Sequence, residues 1–189
     1  YPVQPGDHIL LHAAAGGVGL ILTQWAKRIG AVVIGTVSSD EKAEIAKSYG
    51  CDFTINYSHE NVAERVRELT DGDGVAVYDS IGKDTFDASL DSLSTLGHFV
   101  TYGAASGQVA PIDPILLMHK GSIHFTRTSM RHYTQKRSEL EAGAAELFGL
   151  IADGGIRVKI HKSYTLEDIA SAHRDLESRA TTGSTVVTA

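Results

Sequence analysis

An apolar run that stops at a glycine-rich turn and leads into a helical pattern constrains this chain more than any other feature. Ile9 to Leu11 form the apolar run, and the turn reads Ala13-Ala-Ala-Gly-Gly-Val-Gly19. Strand, tight turn and helix in that order open a βαβ unit that binds dinucleotides. In the usual G-x-G-x-x-G spacing the first glycine would fall at Ala14, so this copy is a variant of the motif.

The glycines of this turn have separate predicted roles. Gly16 and Gly17 lack a Cβ atom, so we expect their backbone to approach a pyrophosphate closely. Gly19 is expected to let the helix pack close to the strand. The free N–H groups at the start of the helix would face the anion, and the helix dipole would favour its charge.

Apolar runs alternate with helical patterns along most of the chain, which predicts an α/β fold. We predict six strands, at residues 9–11, 31–37, 53–55, 75–79, 98–102 and 122–127. Helices are predicted after the glycine turn and near residues 41–49, 60–69, 84–93, 115–120 and 135–152. This pattern is typical of a doubly wound, parallel Rossmann sheet with strand order 3-2-1-4-5-6. A ligand would then lie above strands one and four, beside the glycine turn.

The pattern changes after Gly155, which predicts a domain boundary. We expect residues 1–156 to form the dinucleotide-binding domain. Residues 157–189 read as strand, helix and strand, and we expect them to belong to a second, incomplete domain. Tyr1 to Asp7 resembles a linker that leads into the first strand, so we expect a domain cut from a longer protein.

Composition excludes several classes of protein. The formal net charge of −6 argues against a nucleic-acid-binding surface, and no 18-residue apolar run predicts a membrane span. Cys51 is the one cysteine, so neither an internal disulfide nor a cysteine-rich zinc site is expected. The nine histidines show no metal-binding spacing such as H-E-x-x-H, so no metal site is predicted. A cytoplasmic setting fits these observations best.

The loop after the second strand indicates which dinucleotide would fit. An NAD site usually has an acidic residue there, whereas this chain has Ser38 and Ser39, with Lys42 just beyond. Hydroxyl and ammonium groups suit a 2′-phosphate, which predicts NADPH, although Lys42 is equally compatible with a solvated helix lysine. Asp40 is expected to cap the following helix. Tyr57 lies within reach of the adenine side, or packs against the fold.

The chain offers no obvious acid–base residue. It has no G-x-S-x-G nucleophile turn and no Walker lysine. The Y-x-x-x-K pair of short-chain reductases is also missing, because Arg137 stands four positions after Tyr133. His12, next to the glycine turn, is interpreted as structural. The catalytic residues are therefore not predicted from this chain.

Several segments together resemble a known family. They are Ala13–Leu20, Gln24–Lys27, Gly35–Val37 with Lys42, Ile55–Tyr57, Tyr78–Ser80 with Gly82, Tyr102–Gly103 and Glu177–Thr181. The chain resembles the NADPH-dependent quinone oxidoreductases, the zinc-free, zeta-crystallin-like branch of the medium-chain dehydrogenase/reductases. The resemblance implies one-electron or hydride reduction of quinones by NADPH without zinc.

The resemblance also implies a set of cofactor-binding residues. Phosphates would lie over Gly16, Gly17 and Val18, and the 2′-phosphate would meet Ser38, Lys42 and Tyr57. The arginine at Arg179 would also reach the cofactor. The nicotinamide side would be lined by Ser80, Gly82, Tyr102, Gly103, Ala104, Ala105, Phe125, Thr126 and Arg127. Ala104 and Ala105 stand where the family often has Asn or Ser.

Members of this family carry an N-terminal GroES-like domain that forms the other wall of the substrate cleft, and often pair their sixth strands into a dimer. We therefore expect a homodimer through Ser122 to Arg127. We also expect that this chain alone binds NADPH weakly and turns over poorly.

Two other functions stay open from the sequence. A non-catalytic nucleotide- or RNA-binding module is compatible with the basic cluster Arg127, Arg131, His132, Lys136 and Arg137. Because the whole chain is acidic, a solvated helix face explains that cluster better, and a nucleic-acid partner is not expected. An NADPH-dependent enoyl reductase of the same superfamily would differ only in substrate.

Overall fold

The computed structural model describes all 189 residues and contains one six-stranded parallel sheet with the order β3-β2-β1-β4-β5-β6. Its strands are β1 (His8–Leu11), β2 (Val32–Val37), β3 (Phe53–Asn56), β4 (Ala76–Asp79), β5 (His98–Thr101) and β6 (His124–Arg127). The helices are α1 (Gly17–Ile29), α2 (Asp40–Ser48), α3 (Val62–Leu69), α4 (Phe86–Ser92), α5 (Pro114–His119), α6 (Met130–Tyr133) and α7 (Arg137–Ala152). The predicted Rossmann fold class and strand order are confirmed.

The sheet is buried on both faces by helices, and β1 shows why its sequence is apolar throughout. Ile9 and Leu11 pack into one hydrophobic layer together with Val33 of β2. Leu10 points to the opposite layer, where it packs with Phe99 of β5. All five side chains are fully buried, which is typical of a central parallel strand.

One predicted helix cap is wrong, and one helix begins later than predicted. Ser39, not Asp40, is the N-cap of α2, and its Oγ accepts a hydrogen bond from the Lys42 N–H at 3.3 Å. Asp40 instead accepts a hydrogen bond from the Asn56 side chain at 2.7 Å. α3 begins at Val62 rather than near residue 60, with Asn61 as its cap.

Differences also occur towards the second half of the chain. β6 begins at His124 rather than at Ser122, because Ser122 has a φ of +55° that breaks the extended backbone. The four-residue helix α6 was not predicted, and α7 begins at Arg137. The predicted amphipathic helix α7 has no buried side chain within this chain.

Residues after Gly155 form a separate strand–helix–strand unit, which we call the C-terminal strip (residues 157–189). It contains β7 (Ile160–Thr165), a 3-10 turn (Leu166–Asp168), α8 (Ile169–Glu177) and β8 (Ser184–Thr188). β7 and β8 pair in parallel with each other and not with the main sheet. The strip is fastened to α1 by Gln24, whose side chain donates to the Arg157 carbonyl at 3.0 Å and accepts from its N–H at 2.8 Å.

None of the helices combines the length and the apolar character that a membrane crossing requires.

Candidate dinucleotide-binding site

A cavity of about 580 Å³ opens at the carboxyl ends of the strands. Residues from the loops after β1, β2, β3 and β4 line it, and the strip closes one side through Arg179 and Thr181. The cavity therefore lies at the switch point between β1 and β4, where ligands of doubly wound folds bind. Its size is ordinary for a cofactor pocket.

The glycine turn forms one wall of this cavity. Gly16 is the N-cap of α1 and lines the cavity, and as a glycine it offers no side chain to bond the first N–H groups of the helix. A Cβ atom at Gly19 would lie 2.3 Å from the carbonyl oxygen of Ala13, so the helix could not start this close to the strand with another residue there. Val18 points outward and is exposed.

Gly17 has a different role from the predicted one. A Cβ atom there would lie 2.9 Å from Ser184 Oγ and 3.3 Å from the Gly183 carbonyl oxygen. The missing side chain thus makes room for β8 of the strip rather than for a ligand. The Gly183 N–H also donates to the Ala15 carbonyl at 2.8 Å, which joins the strip to the glycine turn.

The three residues predicted for the 2′-phosphate lie with Arg179 in the wall of the cavity. Ser38, Lys42, Tyr57 and Arg179 all line it. Lys42 Nζ donates to the Arg179 carbonyl at 2.5 Å, and Arg179 Nη2 lies 3.6 Å from Asp84 Oδ2. Partial burial lowers the pKa of Lys42, and the charge of Arg179 lowers it further, while Glu41 opposes this. The site thus concentrates positive charge that an anion would stabilise.

Asp79, at the end of β4, shapes the loop on the opposite side. It is fully buried, and its Oδ1 accepts hydrogen bonds from the N–H groups of Ile81 and Gly82 at 2.6 and 3.1 Å. Its Oδ2 accepts from Thr85 Oγ1 at 2.7 Å and from Ser89 Oγ at 3.2 Å. These four bonds satisfy the buried carboxylate and fix the loop that follows β4.

His12 extends this network beneath the glycine turn. Its ring nitrogens lie 3.0 Å from Thr36 Oγ1 and 2.9 Å from Ser89 Oγ. Burial lowers the pKa of His12, although the charge of Asp79 opposes that shift. The side chain is 1% exposed and holds neighbouring elements together, as the structural interpretation predicts.

The predicted nicotinamide-side residues split into separate groups. Ala105 lines the main cavity, and the loops after β4 and β5 are in contact, because the Ala105 N–H donates to the Ser80 carbonyl at 3.1 Å. A Cβ at Gly103 would lie 2.3 Å from that carbonyl oxygen, and one at Gly82 would lie 3.2 Å from the Ala104 Cα. Both glycines therefore permit close approach of the two loops.

Tyr102 and Arg127 line a second, open cavity of about 740 Å³ together with Tyr133. Burial raises the pKa of the Tyr102 phenol. The structure does not bring Phe125 and Thr126 to either cavity. Since side chains alternate along β6, Phe125 points into the core, with its ring 5.1 Å from that of Phe99, and Thr126 points away from it.

Several cavity residues were missed from the sequence. Asp84, Thr85 and Asn61 line the cavity at helix starts, and Thr181 does so from the strip. The polar run Lys83-Asp-Thr85 after Gly82 was an available signal, because it follows a strand on the ligand side of the sheet. No signal in the sequence placed Thr181 opposite the glycine turn.

Residues 17–148 match the family model described as zinc-binding dehydrogenase. The chain belongs to this family. In this chain, no three His, Cys, Asp or Glu side chains lie close enough together to bind a metal ion. Its residues do not supply a zinc site.

Relatives within the family confirm the predicted resemblance. A quinone oxidoreductase of Pseudomonas aeruginosa is 50% identical over 99% of this chain and 58% of its own length. A 2-haloacrylate reductase of Burkholderia is 47% identical over 99% of this chain and 57% of its own. The crystal structure of Escherichia coli quinone oxidoreductase complexed with NADPH superposes with a TM-score of 0.97 and 45% identity, covering 100% of this chain and 59% of that one. The chain thus spans little more than half the length of these relatives.

Proposed function

We propose that this chain is the NADPH-binding domain of a cytoplasmic quinone oxidoreductase that works without zinc. The observation that carries the proposal is the convergence of Ser38, Lys42, Tyr57 and Arg179 at one end of the cavity. The similarity to quinone oxidoreductases, one of them complexed with NADPH, supports it. The paired, conjugated carbonyls of a quinone accept a hydride without a metal ion to polarise them.

The residues present fit this cofactor. The N-terminus of α1 has no side-chain cap, so its N–H groups and the helix dipole suit a pyrophosphate beside Gly16. Lys42 and Arg179 suit the 2′-phosphate, and the exposed ring of Tyr57 suits the adenine side. Gly17 would contribute its backbone N–H, because β8 and Gly183 occupy the space where its side chain would be.

When bound, NADPH supplies a hydride from its nicotinamide ring. The contribution of this chain is to bind and orient: α1 and the two cations fix the phosphate end, and Asp79 holds the loop of Ile81 and Gly82 at the other side of the cavity. Catalysis would rest on proximity, because holding two reactants in register removes most of the entropic barrier. We assign no proton donor in this chain.

We further propose that residues 1–156 form the cofactor domain and that the strip completes a second domain. The strip packs on α1 through Gln24 and on the glycine turn through Gly183, but it adds no strand to the main sheet. The remaining wall of a quinone site would come from residues beyond this sequence. We therefore expect this chain alone to bind NADPH weakly and to reduce quinones poorly.

We also propose a homodimer through β6. This strand is the last in the sheet order and pairs only with β5, so its outer edge is unpaired. Exposed edges of this kind favour strand pairing with another chain. Sedimentation equilibrium tests the proposal: a mass of twice 20.2 kDa is expected, and a monomer at all concentrations would contradict it.

An enoyl reductase remains the competing activity, because one relative is named 2-haloacrylate reductase. We favour quinone because relatives with that name are the more numerous among those similar over almost the whole chain. The cavity and its phosphate end would serve either substrate. The basic cluster near α6 gives no support to an RNA-binding module, since its Lys136 and Arg137 pair with glutamates of α7.

The proposal is tested by measuring the dissociation constants of NADPH and NADH calorimetrically. Wild type is expected to prefer NADPH, and Lys42→Ala is expected to lose about tenfold of that preference, since charge-assisted bonds contribute about 1.5 kcal/mol. Lys47→Ala is the matched control, because Lys47 lies on the same helix but pairs with Glu44. Equal affinity of wild type for both cofactors would contradict the proposal, and so would an unchanged preference in Lys42→Ala.

A further inference from the structure

The segment between α8 and β8 crosses the mouth of the cavity. We call residues 178–183 the crossing segment. It contacts the loop after β1 through Gly183 and Ala15, α2 through Lys42, and the loop after β4 through Asp84. These contacts bridge residues far apart in the sequence and place Arg179 over the cavity.

Arg179 is the central residue of this segment. Its backbone has a φ of +59°, the left-handed conformation with which helices commonly end, and its N–H donates to the Leu176 carbonyl of α8 at 3.2 Å. Its carbonyl accepts the Lys42 bond at 2.5 Å, and its guanidinium faces Asp84 at 3.6 Å. This one residue therefore contacts both sides of the cavity mouth.

The two cations at the phosphate end are engaged differently. Lys42 bonds a neutral carbonyl, so its charge is not compensated there. Arg179 faces an exposed carboxylate, so part of its charge is compensated. A guanidinium binds carboxylate and phosphate with the same face of donors, and a ligand phosphate would have to take Arg179 away from Asp84.

Asp84 is held where its carboxylate can compete with a ligand phosphate for Arg179. Its N–H donates to Ser106 Oγ at 3.0 Å, and that hydroxyl donates to the Ile81 carbonyl at 2.9 Å. The backbone of Asp84 is thus fixed to the loop that lines the cavity, while its side chain remains about half exposed.

We propose that Asp84 is a specificity-determining residue that competes with the cofactor 2′-phosphate for Arg179. The inference rests on the proposed NADPH site and adds to it a residue that opposes phosphate binding. Asp84 acts through Arg179 and does not itself bind the ligand. Because exposed ion pairs are weak, its removal should tighten binding of a 2′-phosphorylated ligand by about two- to fivefold.

The test compares two ligands that differ only in the 2′-phosphate, 2′,5′-ADP and 5′-AMP. Their dissociation constants are measured for wild type, Asp84→Asn and the control Asp87→Asn. Asp87 is an exposed carboxylate three residues further on that does not line the cavity. Asp84→Asn should tighten the binding of 2′,5′-ADP and leave the binding of 5′-AMP unchanged. Asp87→Asn should change the affinity for neither ligand. Weaker 2′,5′-ADP binding by Asp84→Asn, or an equal change for both ligands, would overturn the inference.

A double-mutant cycle with Arg179→Ala shows whether Asp84 acts through that side chain. In the Arg179→Ala background, Asp84→Asn should affect 2′,5′-ADP no more than Asp87→Asn does. The same gain in both backgrounds would show a general charge effect and overturn the inference. If wild type bound 5′-AMP as tightly as 2′,5′-ADP, the proposed NADPH site would fail as well, whereas the outcomes above concern Asp84 alone.

Discussion

At the scale of single residues, the hydrogen bonds around His12 determine the protonation state of its ring. Ser89 donates its hydroxyl hydrogen to Asp79, so the Oγ of Ser89 can only accept from His12. His12 Nε2 must therefore carry the proton, and Nδ1 accepts from the Thr36 hydroxyl. A second proton on the ring would bury a charge. The neutral ring is the form that fits the fold.

The neutral state of the His12 ring predicts how the free energy of unfolding depends on pH. The unfolded chain protonates His12 near its ordinary pKa of about 6.5, whereas burial lowers the pKa in the folded chain. The unfolded state then binds more protons, so the free energy of unfolding should fall as the pH drops from about 7.5 to 5.5. His98, whose pKa is lowered by partial burial and by His124, contributes with the same sign.

Urea unfolding across this pH range checks the prediction. His12→Asn should be less stable at pH 7.5 but should show a shallower pH slope, while His119→Gln, at an exposed histidine, should keep the wild-type slope. His12→Gln serves as a second variant if Asn prevents folding. An unchanged slope in these His12 variants would show that His12 does not titrate differently in the folded chain.

Two glycines give opposite predictions for the same substitution. Gly19→Ala would place a Cβ 2.3 Å from the Ala13 carbonyl and should cost about 1–3 kcal/mol of unfolding free energy. Gly143→Ala, in the middle of α7 with no atom within 4 Å of the new Cβ, should stabilise by about 1 kcal/mol. Urea unfolding of both variants tests these predictions. A Gly19→Ala variant with the wild-type free energy of unfolding would disprove the close approach of α1 to the turn.

At the scale of elements, α1 connects the sheet to the strip. Gln24 is 8% exposed and satisfies both backbone groups of Arg157. Gln24→Ala would leave those groups without protein partners, which typically costs about 1–3 kcal/mol. We expect the strip to open more often and trypsin to cleave faster after Arg157 and Lys159. Gln135→Ala, an exposed control, should be cleaved there at the wild-type rate; equal rates for both variants would mean that Gln24 does not hold the strip.

Periodicity and turn residues were sufficient to predict the main elements and their order, because a parallel sheet requires apolar strands and glycines where backbones approach. They could not identify caps: Ser39 and Asp40 are both good N-cap residues, and the bond from Asn56 to Asp40 decides between them. Nor could they orient Phe125, since which face of an edge strand meets the core depends on the neighbouring strand. α6, a single turn, has too few residues to show a period.

At the scale of the whole molecule, the phosphate end of the site is assembled from distant parts of the chain. Lys42 and Arg179 are 137 positions apart and meet because the strip folds back over the cavity. The resemblance predicted both residues, but only the fold shows that Arg179 is held by Asp84 and that Gly17 packs against β8. The account therefore depends on where the dinucleotide binds.

Amide-resolved NMR of the ¹⁵N-labelled chain during titration with NADP⁺ locates that site most directly. The largest shifts are expected at the start of α1, from Gly16 to Gly19, and around Ser38 and Lys42, with smaller ones at the Ile81–Gly82 loop. Lys42→Ala should need more ligand for the same shifts. Shifts confined to the second cavity at Tyr102 and Arg127, or no shift near the glycine turn, would contradict the proposed dinucleotide site.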